Sequence, residues 1–377
     1  MKRPDRLRRA TARSAALAAL AVVLAGVLIV VLSGGGAAAP QRKAREAPAP
    51  DPEPAPRGIA APAEPAVGAP GLFVAPDGEK GGSCTEADPC DSLGRAVELA
   101  QPGDLVELAA GRYGLQVLSA AAGPQSGDGV IAVRPAPGAR VRLGELRCGR
   151  WNGDLGPDAV DVADISVRSV VVQRCDRFTL RRVTIKGGIF VNGSSNFSML
   201  GGSVGPGVDY HPDVAAVYES DPPIVPRNVL FDGVHFHDWT LKTPGVHIEC
   251  LQVSDVHGFT LRDSRFSNCD TFDVHVDGTV AGPVKDVVIE GNDFGRTGDH
   301  TNGKTPAYYG LSVRDGEDVY IGGNRAEQAF ALPAPEEAIS DWVLESNQAP
   351  LEPWQCDARM RYEQNEWDGA RCGPTDR

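Results

Sequence analysis

FTLRRVTI (178–185), FSMLGGSV (197–204), VLFDGVHF (229–236), FTLRDSRF (259–266), VVIEGNDF (287–294), VYIGGNRA (319–326) and WVLESNQA (342–349) are copies of one pattern, recurring every 19 to 32 residues. The first, third and eighth positions are apolar in each copy, and Gly, Asp, Asn and Arg fill the middle. The alternation is a strand signal and the middle is a turn signal. A second pattern precedes several copies: GIFVNG (188–193), CLQVSD (250–255), FDVHVDG (272–278) and GLSVRDG (310–316). Ile189, Leu251 and Leu311 each stand eight residues before the first position of the next copy, whereas Val274 stands thirteen before it. Short strand, tight turn, short strand and variable loop make one coil of a solenoid, which buries its apolar side only against its neighbours. Irregular coil lengths exclude hexapeptide β-helices, the missing L-x-x-L-x-L register excludes leucine-rich repeats, and an apolar period of two excludes helical repeats.

Upstream, FVAPDG (73–78) is followed by SCTEADPCDSLGRAVELAQPGDLVELAAGRY (83–113). Leu93, Ala96, Val97 and Ala100 form a helical face after Asp91, a candidate N-cap. This stretch resembles the opening segment of the pectin-lyase-like β-helix superfamily, with Pro102-Gly103-Asp104 at the turn into the first coil and Gly111-Arg112-Tyr113 at its end. The resemblance covers residues 71–350 and implies an all-β fold: a right-handed parallel β-helix solenoid with a short N-terminal capping helix. It also implies a substrate groove along one sheet face. It fixes no activity, because the superfamily holds lyases, hydrolases, epimerases and inert surface proteins.

The N-terminus organises differently. Residues 1–13 form a basic head, and residues 14–32, SAALAALAVVLAGVLIVVL, are uncharged and apolar. The run is longer than the apolar part of most cleaved signals and close to a membrane span. It reads as a transmembrane signal anchor with the basic side cytoplasmic. Cleavage near Ala37-Ala38-Ala39, which would leave a secreted protein, is the alternative. Residues 33–70 are Pro- and Ala-rich and read as a disordered linker. The expected layout is therefore a single-pass cell-membrane protein with a β-helix outside the cell over 71–350 and a disulfide-bonded tail or cap over 351–377.

Eight cysteines fit an exported domain. Pairing nearest neighbours in order gives Cys84–Cys90, Cys148–Cys175, Cys250–Cys269 and Cys356–Cys372. No C-x-x-C supports a zinc ribbon or a thioredoxin-type site. The 42% hydrophobic content supports a core, and Gly 44 and Pro 30 follow no collagen period, which excludes fibrous and wholly disordered chains. The net charge is −13, and the basic head holds +5 of it, so the remainder carries −18. So acidic a body lacks the footprint for nucleic acid.

All seven histidines lie between 211 and 300, which points to the middle coils. Stacking Ile189, Leu251, Val274 and Leu311 sets Phe190, Gln252, His275 and Ser312 in one outward column, with Asn192, Ser254, Asp277 and Arg314 in the next. Strand alternation also places Asp273 on the face of His275 and Asp277. In His247-Ile248-Glu249-Cys250-Leu251-Gln252 the apolar parity flips, so the chain bends near Glu249–Cys250 and brings His247 and Glu249 to the rim. The candidate catalytic residues are thus His275, Asp273, Arg314 and Glu249. Gln252, Asp277, His247 and Ser312 are the candidate substrate contacts. His211-Pro212-Asp213, in the long connection after the Phe197 copy, would form a groove wall, and Asp299, His300 and Lys304 lie in another long connection.

Three functions of different class suit this arrangement. A uronan lyase needs a cation to neutralise the sugar carboxylate and a base for the adjacent proton. Arg314 or a bound Ca²⁺ would serve as the first and His275 as the second. A glycoside hydrolase needs two carboxyls within about 10 Å; Asp273 and Asp277 are about 13 Å apart along a strand, which leaves Glu249 with Asp273. A non-catalytic surface module binding an extracellular polysaccharide or envelope glycan needs aromatic platforms, for which Phe190, Tyr218, Trp239, Tyr308 and Tyr309 are candidates. A passive spacer leaves the histidines unexplained. No G-x-S-x-G, Walker A or H-E-x-x-H motif occurs. The expectation is an anchored β-helix that binds or processes extracellular polysaccharide.

Overall fold

The structure, a computed structural model, describes residues 57–66, 68–119, 129–150, 155–208, 215–220, 223–240, 248–279, 282–295, 309–333, 339–351, 356–368 and 372. Every strand pairing among them is parallel, and each strand pairs with its counterpart one coil on. The coils form three faces. Face A takes the first half of each repeat, as in Arg227–Asp232, His257–Arg262, Lys285–Glu290 and Gly316–Gly322. Face B takes the second half, as in His235–Thr240, Arg265–Cys269 and Asp293–Phe294. Face C takes the second pattern: Ile189–Asn192, Ala215–Tyr218, Glu249–Ser254, Phe272–Asp277, Tyr309–Val313 and Phe330–Ala331.

The bends follow from the repeat. Its fifth residue has a positive φ in every copy, whether Arg182, Gly201, Gly233, Asp263, Gly291, Gly323 or Ser346. So does the residue before each copy: Arg177, Asn196, Asn228, Gly258, Asp286, Asp318 and Asp341. Asn and Asp tolerate that left-handed region better than other side chains. Each short strand is therefore bracketed by two left-handed residues, which turn the chain from one face to the next.

Inward positions pack a continuous core. Phe236, Phe266 and Phe294 stack with centroids 4.8 and 5.3 Å apart, and Phe330 and Trp367 continue the row edge-on at 5.9 and 5.9 Å. The four phenylalanines are fully buried, each contributing about 1.5–3 kcal/mol. A helix over Leu93–Leu99 covers the first coils with Leu93, Ala96 and Val97 buried. Its N-cap is Ser92, whose side chain accepts from the Arg95 amide, and not Asp91. All four disulfides join nearest neighbours in order, with Cα atoms 4.6, 6.2, 5.8 and 5.3 Å apart.

Two boundaries differ from the sequence reading. The solenoid runs past residue 350: Arg361–Glu363 and Glu366–Asp368 stack on the strands of the last recognised copy. The copy there, MRYEQNEW, opens on Met and is strongly charged, which hid its parity. The linker, expected to be disordered to residue 70, lies along face A from residue 57. Arg57 sits 3.8 Å over the Tyr320 ring. The Ile59 amide donates to Thr260 Oγ1 at 2.9 Å, and Arg181 Nη2 donates to the carbonyls of Pro62 and Ala63 at 2.9 and 2.8 Å. Arg182 then pairs with Glu64 at 2.9 Å. Composition alone gives this Pro- and Ala-rich stretch no reason to fold; the arginines of face A supply one. Among the described residues no helix is long and apolar enough to cross a membrane, and residues 14–32 lie outside them.

Candidate functional site on face C

The 57–66 strap lies along face A, and the middle coils set their polar residues on face C. Gln252 stands opposite His275 and His275 opposite Ser312, as the repeat spacing predicts. Ser254 stands opposite Asp277. These residues form one network. Gln252 Nε2 is 3.5 Å from Ser254 Oγ, and Ser254 Oγ donates to Asp277 Oδ1 at 2.6 Å. Asp277 Oδ2 is 3.5 Å from His275 Nε2, and His275 Nδ1 is 3.0 Å from Ser312 Oγ.

Burial alone would raise the Asp277 carboxyl, but hydrogen bonds from His275 and Ser254, the charge His275 carries when protonated and the charge of Arg314 outweigh it and hold the group below its ordinary range. An ionised Asp277 beside Nε2 favours the proton on that nitrogen. Nδ1 then offers its lone pair to the Ser312 hydroxyl. In this tautomer His275 takes up a proton at Nδ1, from Ser312 or from a group that displaces it. Phe272 and Tyr309 stack at 5.9 Å beside it, with the Phe272 ring 5.6 Å from the imidazole.

Asp273 departs from the expected face. The bend recognised at Glu249–Cys250 recurs one coil on at Phe272–Asp273, so Asp273 turns inward next to Val274 instead of sharing the side of His275. It is 0% exposed and neither carboxyl oxygen has a hydrogen-bond partner. Burial, and then the charge of Asp293, raise its pKa well above the ordinary value. Glu249 is also buried, at 1% exposure, rather than on the rim. The Glu249–Asp273 hydrolase pair is therefore not presented to solvent. Arg314 is exposed and acts on Asp277 as anticipated. His247, His211-Pro212-Asp213, Asp299, His300, Lys304 and Tyr308 lie outside the described residues.

Among the described residues, the histidines are spread over all three faces. His235 and His237 are on face B, with rings stacked at 4.6 Å, and His257 opens a face A strand. Among the described residues no group of three or more His, Cys, Asp or Glu could hold a metal ion, so no site for Ca²⁺ is found there. Of the aromatic candidates, Trp239 is buried at 5% exposure.

Sequence reasoning missed three features. Ala215–Tyr218 is a complete face C rung, which places Ala216 between Phe190 and Gln252. Its alternation was present in VAAVY but sat inside a long connection. Glu219 and Asp255 meet at the end of these strands. Burial, a hydrogen bond with Asp255 and the Asp255 charge raise the Glu219 carboxyl. Finally, a cleft of about 430 Å³ opens on the earlier rungs of face C, lined by Arg147, Gln173, Phe190, Asn192 and Tyr218 among others. Face B carries a wider groove of about 620 Å³ lined by Arg112, Arg142, Arg168 and Lys186, all exposed.

The architecture is an all-parallel β-helix, each strand stacked on its counterpart one coil on. No family model and no curated protein matches the sequence. Among solved structures, a pectate lyase is similar at 13% identity, covering 80% of this chain and 78% of that one, with a TM-score of 0.46. A lacto-N-biosidase from Eubacterium ramulus is similar at 11% identity, covering 79% and 68%, with a TM-score of 0.49. A surface adhesin of Streptococcus pneumoniae is similar at 11% identity, covering 74% and 87%, with a TM-score of 0.40. Two of these are enzymes and one an adhesin, so none of their activities is transferred by likeness.

Proposed function

We propose that the chain is an exported, membrane-anchored β-helix protein whose face C binds an extracellular polysaccharide and brings it to His275. The observation that carries this reading is the continuity of face C. One outward column runs from Phe190 through Ala216, Gln252 and His275 to Ser312, with aromatic side chains at both ends. The apolar run 14–32 after a basic head supports the anchor. Extraction of the protein from membranes by carbonate, or a mature chain beginning at Ala39 or Pro40, would replace the anchor with a cleaved signal.

The chemistry that fits is proton abstraction by His275, with Arg314 to neutralise a carboxylate or a developing charge. A second reading, a binding module without turnover, is favoured by one observation: both nitrogens of His275 already face protein groups. A panel of neutral and acidic polysaccharides, assayed for binding and for unsaturated-product absorbance, separates the two. On the catalytic reading His275→Ala abolishes turnover while the thermal midpoint stays near that of the parent. Binding without turnover across the panel establishes the module, and full turnover in His275→Ala moves the chemistry elsewhere.

A further inference from the structure

The cleft on the earlier rungs of face C has walls that ask for a ligand. Gln173 and Asn192 stand opposite each other on adjacent strands and are each 1% exposed. Gln173 Nε2 and both Asn192 side-chain polar atoms have no hydrogen-bond partner. Leaving a buried polar group unsatisfied costs about 1–3 kcal/mol, and native proteins keep few such groups. Here three lie in one wall of one cleft.

The other walls give the chemistry of the missing partner. Phe190, two residues before Asn192, and Tyr218, opposite Asn192 on the next rung, are half-buried and flank the amides. Aromatic walls with a few placed amides are the composition of a small-ligand site, and such rings suit the apolar C–H face of a sugar. Among the described residues the one charged group in the lining is Arg147, and Glu145 already pairs with it. Among the described residues the cleft thus carries no unneutralised charge for a uronate, whereas the exposed cations of face B would suit one. Amide donors and acceptors without charge match hydroxyl or acetamido groups. The Phe190 column position lies three rungs from that of His275, about 14 Å at the strand spacing.

We propose that this cleft binds an uncharged sugar residue, recognised through Gln173 and Asn192 and stacked between Phe190 and Tyr218, in a glycan that continues along face C to His275. The inference rests on the reading of face C as a glycan-binding face and adds which sugar chemistry it selects. It predicts a polysaccharide that carries neutral residues several rungs from the reacting one.

The test is calorimetric titration of the purified chain with neutral gluco- and galacto-oligosaccharides, N-acetylglucosamine oligomers and uronate oligomers. A neutral or acetamido oligomer should bind. Asn192→Leu and Phe190→Ala should each weaken it at least tenfold, and Arg142→Ala on face B should leave it within twofold. The hexose and N-acetyl arms tell hydroxyl from acetamido recognition. Thermal midpoints control for folding, and Phe190→Leu, which keeps apolar bulk but no ring, should also lose at least threefold. Binding indifferent to Asn192→Leu overturns the cleft while leaving the glycan reading intact. Binding confined to uronates and lost in Arg142→Ala assigns the ligand to face B and overturns it as well. No binding by any oligomer overturns both readings.

Discussion

Two stacks of carboxamides run along this solenoid, and they are opposites. At the bend between faces A and B, Asn292, Asn324, Asn347 and Asn365 occupy the sixth position of successive copies. Each Nδ2 donates to a backbone carbonyl of the preceding coil, of Leu261, Ile289, Ile321 or Leu344, at 2.7–3.0 Å. The Oδ1 of Asn324, Asn347 and Asn365 accepts both the backbone and the side-chain N–H of the asparagine one coil before. On face C, Gln173 and Asn192 also stack, but the column continues with Tyr218, not a third amide, and they stay unpartnered. The first stack holds coils together. The second stabilises nothing that the protein itself provides, which is why it is argued as a binding feature.

The contrast can be broken by mutation, starting with the ladder. Asn324→Ala removes a donor and an acceptor from the middle of the stack and strands Asn292 and a carbonyl of the preceding coil. Denaturant unfolding should show a loss of about 3 kcal/mol. A change below about 1 kcal/mol would mean that the ladder decorates the bend without holding it.

Asp273 extends the unpartnered class to a carboxyl. Its folded pKa is raised, so above the ordinary aspartate value near 4 the folded protein keeps a proton that the unfolded chain has released. Stability therefore falls as pH rises through that window, by at most about 1.4 kcal/mol per pH unit. Denaturant midpoints measured from pH 4 to 8 should show this slope in the parent and a flatter one in Asp273→Asn. Equal slopes would place a hidden partner beside Asp273.

The smallest effect sharpens the comparison most. Asn192→Ala removes an amide with no partner to strand, so unfolding should change by no more than about 0.5 kcal/mol, against several times that for Asn324→Ala. A loss of comparable size would make Asn192 structural and dissolve the distinction between the stacks.

Much of this was readable beforehand. Gln252, His275 and Ser312 fell into one column because side-chain parity and the eight-residue offset are local properties. The cysteines paired as neighbours because Cys250 and Cys269 lie one coil apart. Asp273 was misplaced because its bend is hidden in FDVHVDG, where Asp takes an inward position that an apolar residue would have marked. Gln173 was passed over because VVVQ reads as an ordinary core strand, and Asn192, though set in an outward column, had no neighbouring amide in the sequence to mark it as a contact.

What the sequence by itself determined is everything set within one coil: the period of two, the turn in the middle of each repeat, and the inward Phe and Val positions. Those depend on backbone sterics and on burial of the nearest neighbours. What only the tertiary structure decided is what depends on adding coils of unequal length. It settled which residue stands above which across a missed rung, that residues 57–66 lie along face A, and whether a buried amide finds a partner. The partner of a side chain in a solenoid is chosen by the next coil, and its register follows from the whole intervening loop.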